Sequence, residues 1–264
     1  MLMESLASTF IDIFDGLERA YGTYQIDTAK QNGKQVGRAA TLNKPVTIKL
    51  WEEHLTGKKG IGIIPIKDNS CCKFGAIDID VYTGLDFKQI HKDIKQYNFP
   101  LVVCRSKSGG CHLFLFTREE VPATILQSKL KTMAAVLGHG NCEIYPRQTE
   151  ILVERGDIGQ WINVPYFNGV KGLRYAVDEN NVPLSANDFI KLVEEKRLTL
   201  KQLEALTIIV KADLEDGPPC LQYLITQGFP VGVRNEGLFN LVVYLKKSFP
   251  DNWKEKVDEF NHKY

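Results

Sequence analysis

The chain has 264 residues, 44% hydrophobic and 25% charged, with 33 Lys and Arg against 32 Asp and Glu. That length can bury a sizeable core in one large or two smaller domains, and the balanced charge excludes a global basic field, so any nucleic-acid contact must come from local patches. Six cysteines without a CxxC pattern and the lack of an apolar run near the ~18 residues of a membrane helix predict a soluble cytoplasmic protein with no membrane partner.

Residues 4–20 place Leu6, Phe10, Ile13, Phe14 and Leu17 at helical spacing, which predicts an amphipathic helix on the core. From Tyr21 to Lys44 the chain turns polar. Asn32-Gly33 is a turn signal, and Lys30, Lys34, Arg38 and Lys44 have Asp27 as the only acid among them. This stretch reads as a basic hairpin able to hold a template backbone, or equally as a solvated loop. Thr47–Leu55 reads as a short helix capped by Thr47, with His54 in a structural role. Gly60–Ile66 (GIGIIPI) reads as a buried strand, expected to pair with the strand after it.

That next strand, Phe74–Val81 (FGAIDIDV), puts Asp78 and Asp80 on one face, with Ile77, Ile79 and Val81 packed behind. Paired carboxylates in an apolar strand cost several kcal/mol unless cations meet them, and hard oxygen ligands suit Mg²⁺ or Mn²⁺. A surface strand with its acids in water is the bland alternative. Asp86–Tyr97 is a helix by the spacing of Phe87, Ile90, Ile94 and Tyr97. Leu101–Arg105 and His112–Phe116 read as strands joined by the turn Ser106–Gly110 (SKSGG). Its glycines would let backbone N–H groups approach a ligand, and Arg105, Lys107 and His112 could meet a triphosphate; a hairpin with solvated charges is the alternative. Ala123–Leu137 is a second amphipathic helix, and Asn141–Tyr145 a short strand carrying Glu143. Three acids on short strands around a basic glycine turn form a two-metal nucleotidyl-transfer pattern. The order strand, helix, strand, strand, helix, strand is that of a split βαβ, or RRM-like, unit.

The succession IDID, RSKSGGCH, CEIYPRQ and INVPYF resembles the catalytic core of the archaeo-eukaryotic primase superfamily, in particular the primase-polymerases of phages, mobile elements and CRISPR-associated loci, over residues 40–170. The resemblance implies an α+β fold: an RRM-like (split βαβ) palm with an N-terminal α/β extension. It implies Asp78, Asp80 and Glu143 as catalytic residues holding two divalent ions, Mg²⁺ or Mn²⁺, with Glu143 standing where many relatives have Asp. It implies nucleotide binding by Arg105, Ser106, Lys107, Ser108, Gly109, Gly110 and His112, and by Arg147, Gln148 and Asn163 from the stretch after Glu143. Tyr166 and Phe167 are expected in the core. The implied activity is that of a template-dependent DNA primase-polymerase, making or extending primers from NTPs or dNTPs on single-stranded DNA in a bacterial, archaeal or phage-infected cell. The rival is a non-catalytic module that binds single-stranded nucleic acid on an RRM-like sheet. Paired aspartates speak against it, because carboxylates in a phosphate-binding cleft weaken binding unless metal is present. A rolling-circle nuclease is a weaker rival, since His112 has no second histidine two residues away.

From Ser185 the composition shifts to helix formers, with apolar spacing over 187–196, 200–214, 218–227, 235–249 and 251–262. This predicts a small C-terminal helical bundle, 185–264, joined to a catalytic domain, 1–184, by a turn at Asp178–Pro183. It resembles the helical accessory domain of several primase-polymerases. GPPCL with Arg234-Asn235 also resembles the helical primase domain that holds an iron-sulfur cluster through four cysteines. Only Cys220 lies in the tail, so no iron-sulfur cluster is expected. A natural end at Tyr264 and a longer parent protein carrying a helicase or zinc module are both open readings.

Overall fold

The structure, a computed structural model, describes residues 2–31, 34–81, 84–208 and 234–263, with 214, 217, 218, 221, 222 and 225 between the last two stretches. The Asn32-Gly33 turn, Cys220 and most of the expected 218–227 helix lie outside the described residues, as do the side chains of Lys30, Lys34 and Arg38. The chain forms two compact units, one made of Met1–Leu130 with Glu143–Leu206, the other of Lys131–Cys142 with Thr207–Tyr264.

The first unit is mixed α and β, with two four-stranded antiparallel sheets. In chain order it contains α1 (Leu2–Ile13), β1 (Tyr21–Gln31), β2 (Lys34–Leu42), α2 (Ile48–Leu55), β3 (Ile61–Ile63), β4 (Cys71–Ile79) and α3 (Phe87–Gln96). These are followed by β5 (Val102–Arg105), β6 (Cys111–Pro122), α4 (Ala123–Val136, whose residues from Lys131 onward belong to the second unit), β7 (Glu143–Tyr145), β8 (Ile162–Asn163), α5 (Ala186–Lys196) and α6 (Leu200–Ala205). Side-chain caps fix several helix starts: Thr47 accepts from the Leu50 N–H, Asp86 from Lys88 and Gln89, and Thr199 with Gln202 forms a reciprocal capping box.

One sheet runs β2-β1-β3-β8 and the other β5-β6-β4-β7. The strand expected to pair with β4 is therefore in the other sheet. Strand β3 lasts three residues before Pro65, and it pairs with β1 and β8, while β6 and β7 occupy both edges of β4. Helix α1 is also shorter than its apolar spacing predicts. The chain leaves the helix before Gly16, where a β-carbon would run into the Ile64 carbonyl, and the Leu17 N–H then donates to that carbonyl at 2.9 Å.

The core of this unit centres on Phe14, whose ring lies 5.2–6.2 Å from those of Phe10, Trp51, Phe74, Phe114, Phe116 and Phe189. Phe74 opposes Phe116 across β4 and β6, Ala76 opposes Phe114, and Asp78 opposes His112. Alternation places all three pairs on one face, so the aromatic cluster fills one end of that face and leaves the polar pair at the other. The composition changes at Ser185, whereas the compact unit continues through Leu206, with Phe189 and Val193 of α5 fully buried in this same core. Among its described residues the second unit contains α7 (Arg234–Ser248) and α8 (Trp253–Lys263), around Leu214, Leu221, Ile225, Leu241, Leu245 and Phe260. Among the described residues no helix is long and apolar enough to cross a membrane.

Candidate active site

Strand β4 is central in its sheet, and its register defines the site. Asp78 is opposite His112 on β6 and opposite Glu143 on β7, so the three side chains form one row across three strands. Asp80 follows two residues later, exposed just past the strand end. The other sheet supplies a facing row, Thr41, Gly22, Gly62 and Asn163, again from register partners.

Between the rows lies a cleft with two lobes that share Asp78, Asp80, His112 and Asn163. The first, about 720 Å³, adds Glu143, Tyr145, Thr41, Gln160 and Trp161 and is acidic. The second, about 820 Å³, adds Lys58, Lys59, Lys107 and Arg174, with Ser106, Ser108, Tyr24 and Phe167, and is cationic. One end of the cleft thus suits metal or hydroxyl chemistry and the other an anion.

Asp78 is mostly buried. His112 Nε2 is 3.2 Å from its Oδ1, but the pair is not aligned for a hydrogen bond, and the buried Oδ1 has no other partner. An orphaned carboxylate oxygen at the junction of the lobes fits a cation ligand. Glu143 is differently placed. Its Oε1 is 3.1 Å from Arg147 Nη1, and its Oε2 accepts from the Tyr145 hydroxyl at 3.0 Å. Burial, and then the Glu143 charge, raises the Tyr145 hydroxyl pKa, which keeps it a donor. Among the described residues no three His, Cys, Asp or Glu side chains are arranged as a metal site. Asp78 and Asp80, both lining the cleft, are hard oxygen donors of the kind divalent ions take, while Glu143 is engaged by Arg147 and Tyr145.

The SKSGG turn lies beside the acids. Ser106 N–H donates to the Gly110 carbonyl at 2.9 Å, and Gly109 takes φ +93°. At Gly110 a β-carbon would strike the Ile79 carbonyl, so only glycine lets the turn sit against the end of β4. Ser106, Lys107 and Ser108 line the cationic lobe, and the Lys107 ammonium caps the Tyr24 ring across it at 4.1 Å. Arg105 does not reach the cleft. Cys104 is the register partner of His112, so Arg105 points to the opposite face, where its guanidinium lies over Phe87 at 5.6 Å. Arg147 meets Glu143 and Gln160, and Gln148 accepts from the Gln160 N–H at 3.3 Å; both stand behind the acidic lobe.

Asn163 lines both lobes and accepts from Arg174 at 2.7 Å. Arg174 is only 7% exposed, stacks on Phe167 at 5.2 Å, and has no carboxylate partner among the described residues. Burial pulls its pKa down to about 10, so it remains a desolvated cation facing the lobe. Lys58, Lys59 and Arg174 were not singled out from the sequence. They come from loops flanking the other sheet, and the nearest sequence signal was the glycine pair Gly57 and Gly60 beside the two lysines.

His54 is fully buried, as its structural reading expected. Its Nδ1 accepts from the Ile61 N–H at 3.2 Å, which leaves Nε2–H to donate to the Pro165 carbonyl at 2.9 Å. It thereby ties the Lys58–Gly60 loop to the segment leading to Arg174. Tyr166 is buried and donates to the Leu184 carbonyl, whereas Phe167 is half-buried and lines the cationic lobe.

The family model described as AEP-TOTE, the archaeo-eukaryotic primase domain of the TOTE conflict system, matches residues 19–205, more than half of the chain and every cleft residue named above. No curated protein matches the chain.

Proposed function

The chain belongs to the archaeo-eukaryotic primase domains of the TOTE conflict system, and from that premise we propose that it is a template-dependent primase-polymerase, joining NTPs or dNTPs to a 3′-hydroxyl on single-stranded DNA. The observation that carries this reading is the place of Asp78 and Asp80 at the junction of an acidic and a cationic lobe. The strand order β5-β6-β4-β7, with helices α3 and α4 in the chain between them, supports an RRM-like palm.

The triphosphate lies in the cationic lobe, met by Lys58, Lys59, Lys107 and Arg174, with Ser106, Ser108 and His112 as hydrogen-bonding groups. Asp78 and Asp80 would hold the divalent ions, with Glu143 joining once it releases Arg147 and Tyr145. Ions held there would neutralise phosphate charge and lower the pKa of the attacking hydroxyl. In the transfer the 3′-oxygen bonds to the α-phosphorus, the bridge to the β-phosphate breaks, pyrophosphate departs and the hydroxyl proton passes to water. Positioning and fixed charge carry most of such catalysis.

The test is incubation with a single-stranded template, Mg²⁺ or Mn²⁺ and each nucleotide set, first without and then with a primer. Incorporation is expected, falling at least about 10²- to 10³-fold in Asp78→Asn while template binding persists. Undiminished synthesis by both Asp78→Asn and Asp80→Asn would refute the assignment.

A further inference from the structure

Two glycines of the first sheet face the cleft side by side. Gly22 on β1 and Gly62 on β3 are register partners, and at both positions the space a β-carbon would take is filled by the Trp161 indole. Glycine weakens a strand and packs nothing, so a paired bed of two marks a place where another group must lie against the backbone. Trp161 directly precedes β8 and shares the face of Asn163 by alternation. The ring is half-buried, supported on the glycines, and lines the acidic lobe beside Asp78, Asp80 and Glu143. A flat aromatic surface held there is what a nucleobase stacks on.

The lobes also differ as a transfer between two nucleotides requires. Four Lys and Arg side chains line the cationic lobe, whereas none is among the described residues lining the acidic one. A triphosphate belongs to the former; a nucleoside end offering a hydroxyl belongs to the latter. We propose that Trp161 is a positioning residue of the acidic lobe, a stacking platform for the base of the attacking nucleotide, whether the primer 3′ terminus or the first nucleotide of a new primer. This deepens the polymerase reading and rests on it. Every base offers a π face, so the site holds all four without strong preference.

The full chain is titrated in Mg²⁺ with a primer–template whose primer ends in a dideoxynucleotide, following tryptophan emission, with anisotropy of a labelled strand as the independent measure of binding. Trp51 is fully buried and Trp253 belongs to the second unit, so a quench that Trp161→Leu abolishes reports this ring. Quenching is expected. Trp161→Leu should weaken the primer terminus about 5- to 150-fold, with Trp161→Phe restoring most of it and the KM for the incoming triphosphate moving less than about two-fold. Bound strand with unchanged emission, or equal weakening of primer and triphosphate in Trp161→Leu, overturns the proposal alone. Absence of any binding overturns it together with the reading beneath it. Quenching in a chain that incorporates no nucleotide supports the site and faults the polymerase reading.

Discussion

Acid should weaken the fold in part through one buried histidine. His54 has no solvent exposure, and burial, with the Arg174 charge adding to it, lowers its pKa from 6.5 to about 3 despite the hydrogen bond to Pro165. In the unfolded chain the imidazole titrates near 6.5, so between pH 6.5 and 3 the unfolded state binds the additional proton. The stability due to a neutral His54 is therefore complete above pH 6.5 and is lost as pH falls, at up to about 1.4 kcal/mol per unit. By pH 5 the loss from this group is about 2 kcal/mol. His54→Gln keeps a side-chain donor and acceptor but does not titrate in this range. Urea unfolding of both proteins at pH 7 and pH 5 isolates the effect, because every other titrating group is common to the two. The natural chain should lose about 2 kcal/mol more than the variant. Equal losses would mean that the folded state accepts the proton at little cost, and the reasoning from burial would fail.

Arg174→Met removes a buried, unpaired cation, so the melting temperature should hold or rise while the nucleotide KM increases roughly ten- to hundred-fold. Steady-state kinetics and thermal melts check the two halves, and an unchanged KM would remove Arg174 from triphosphate binding. Phe189→Ala should cost about 3–5 kcal/mol in chemical denaturation, because the ring sits inside the first unit's aromatic cluster. A cost below about 1 kcal/mol would show that α5 is not an integral part of that core.

Local periodicity carried much of the fold. Period-two spacing located β4 and put Asp78 and Asp80 on one face, turn chemistry located Ser106–Gly110, and capping residues marked the starts of α2 and α3. Pairing across the chain was less legible. Nothing in GIGIIPI says that its partners are Gly22 and Asn163 rather than the neighbouring strand, because that choice is made by β6 and β7 closing both edges of β4. The misplacement of Arg105 has a similar origin: it hangs on a register of one residue, fixed by Cys104 facing His112. Three of the four cations of the second lobe were hidden for another reason. Arg174 lies over a hundred positions from Lys58 and Lys59, and the three are joined by packing around His54 and Asn163 rather than by a local motif.

On that face of β4 Ala76 alone separates Phe74 from Asp78, and Phe114 is next but one to His112 on β6. A cavity opened under those rings would tilt the carboxylate and imidazole without touching either. A mutational scan scored on activity alone will therefore return the phenylalanines beside the acids, and unfolding curves are needed to tell the anvil from the hammer.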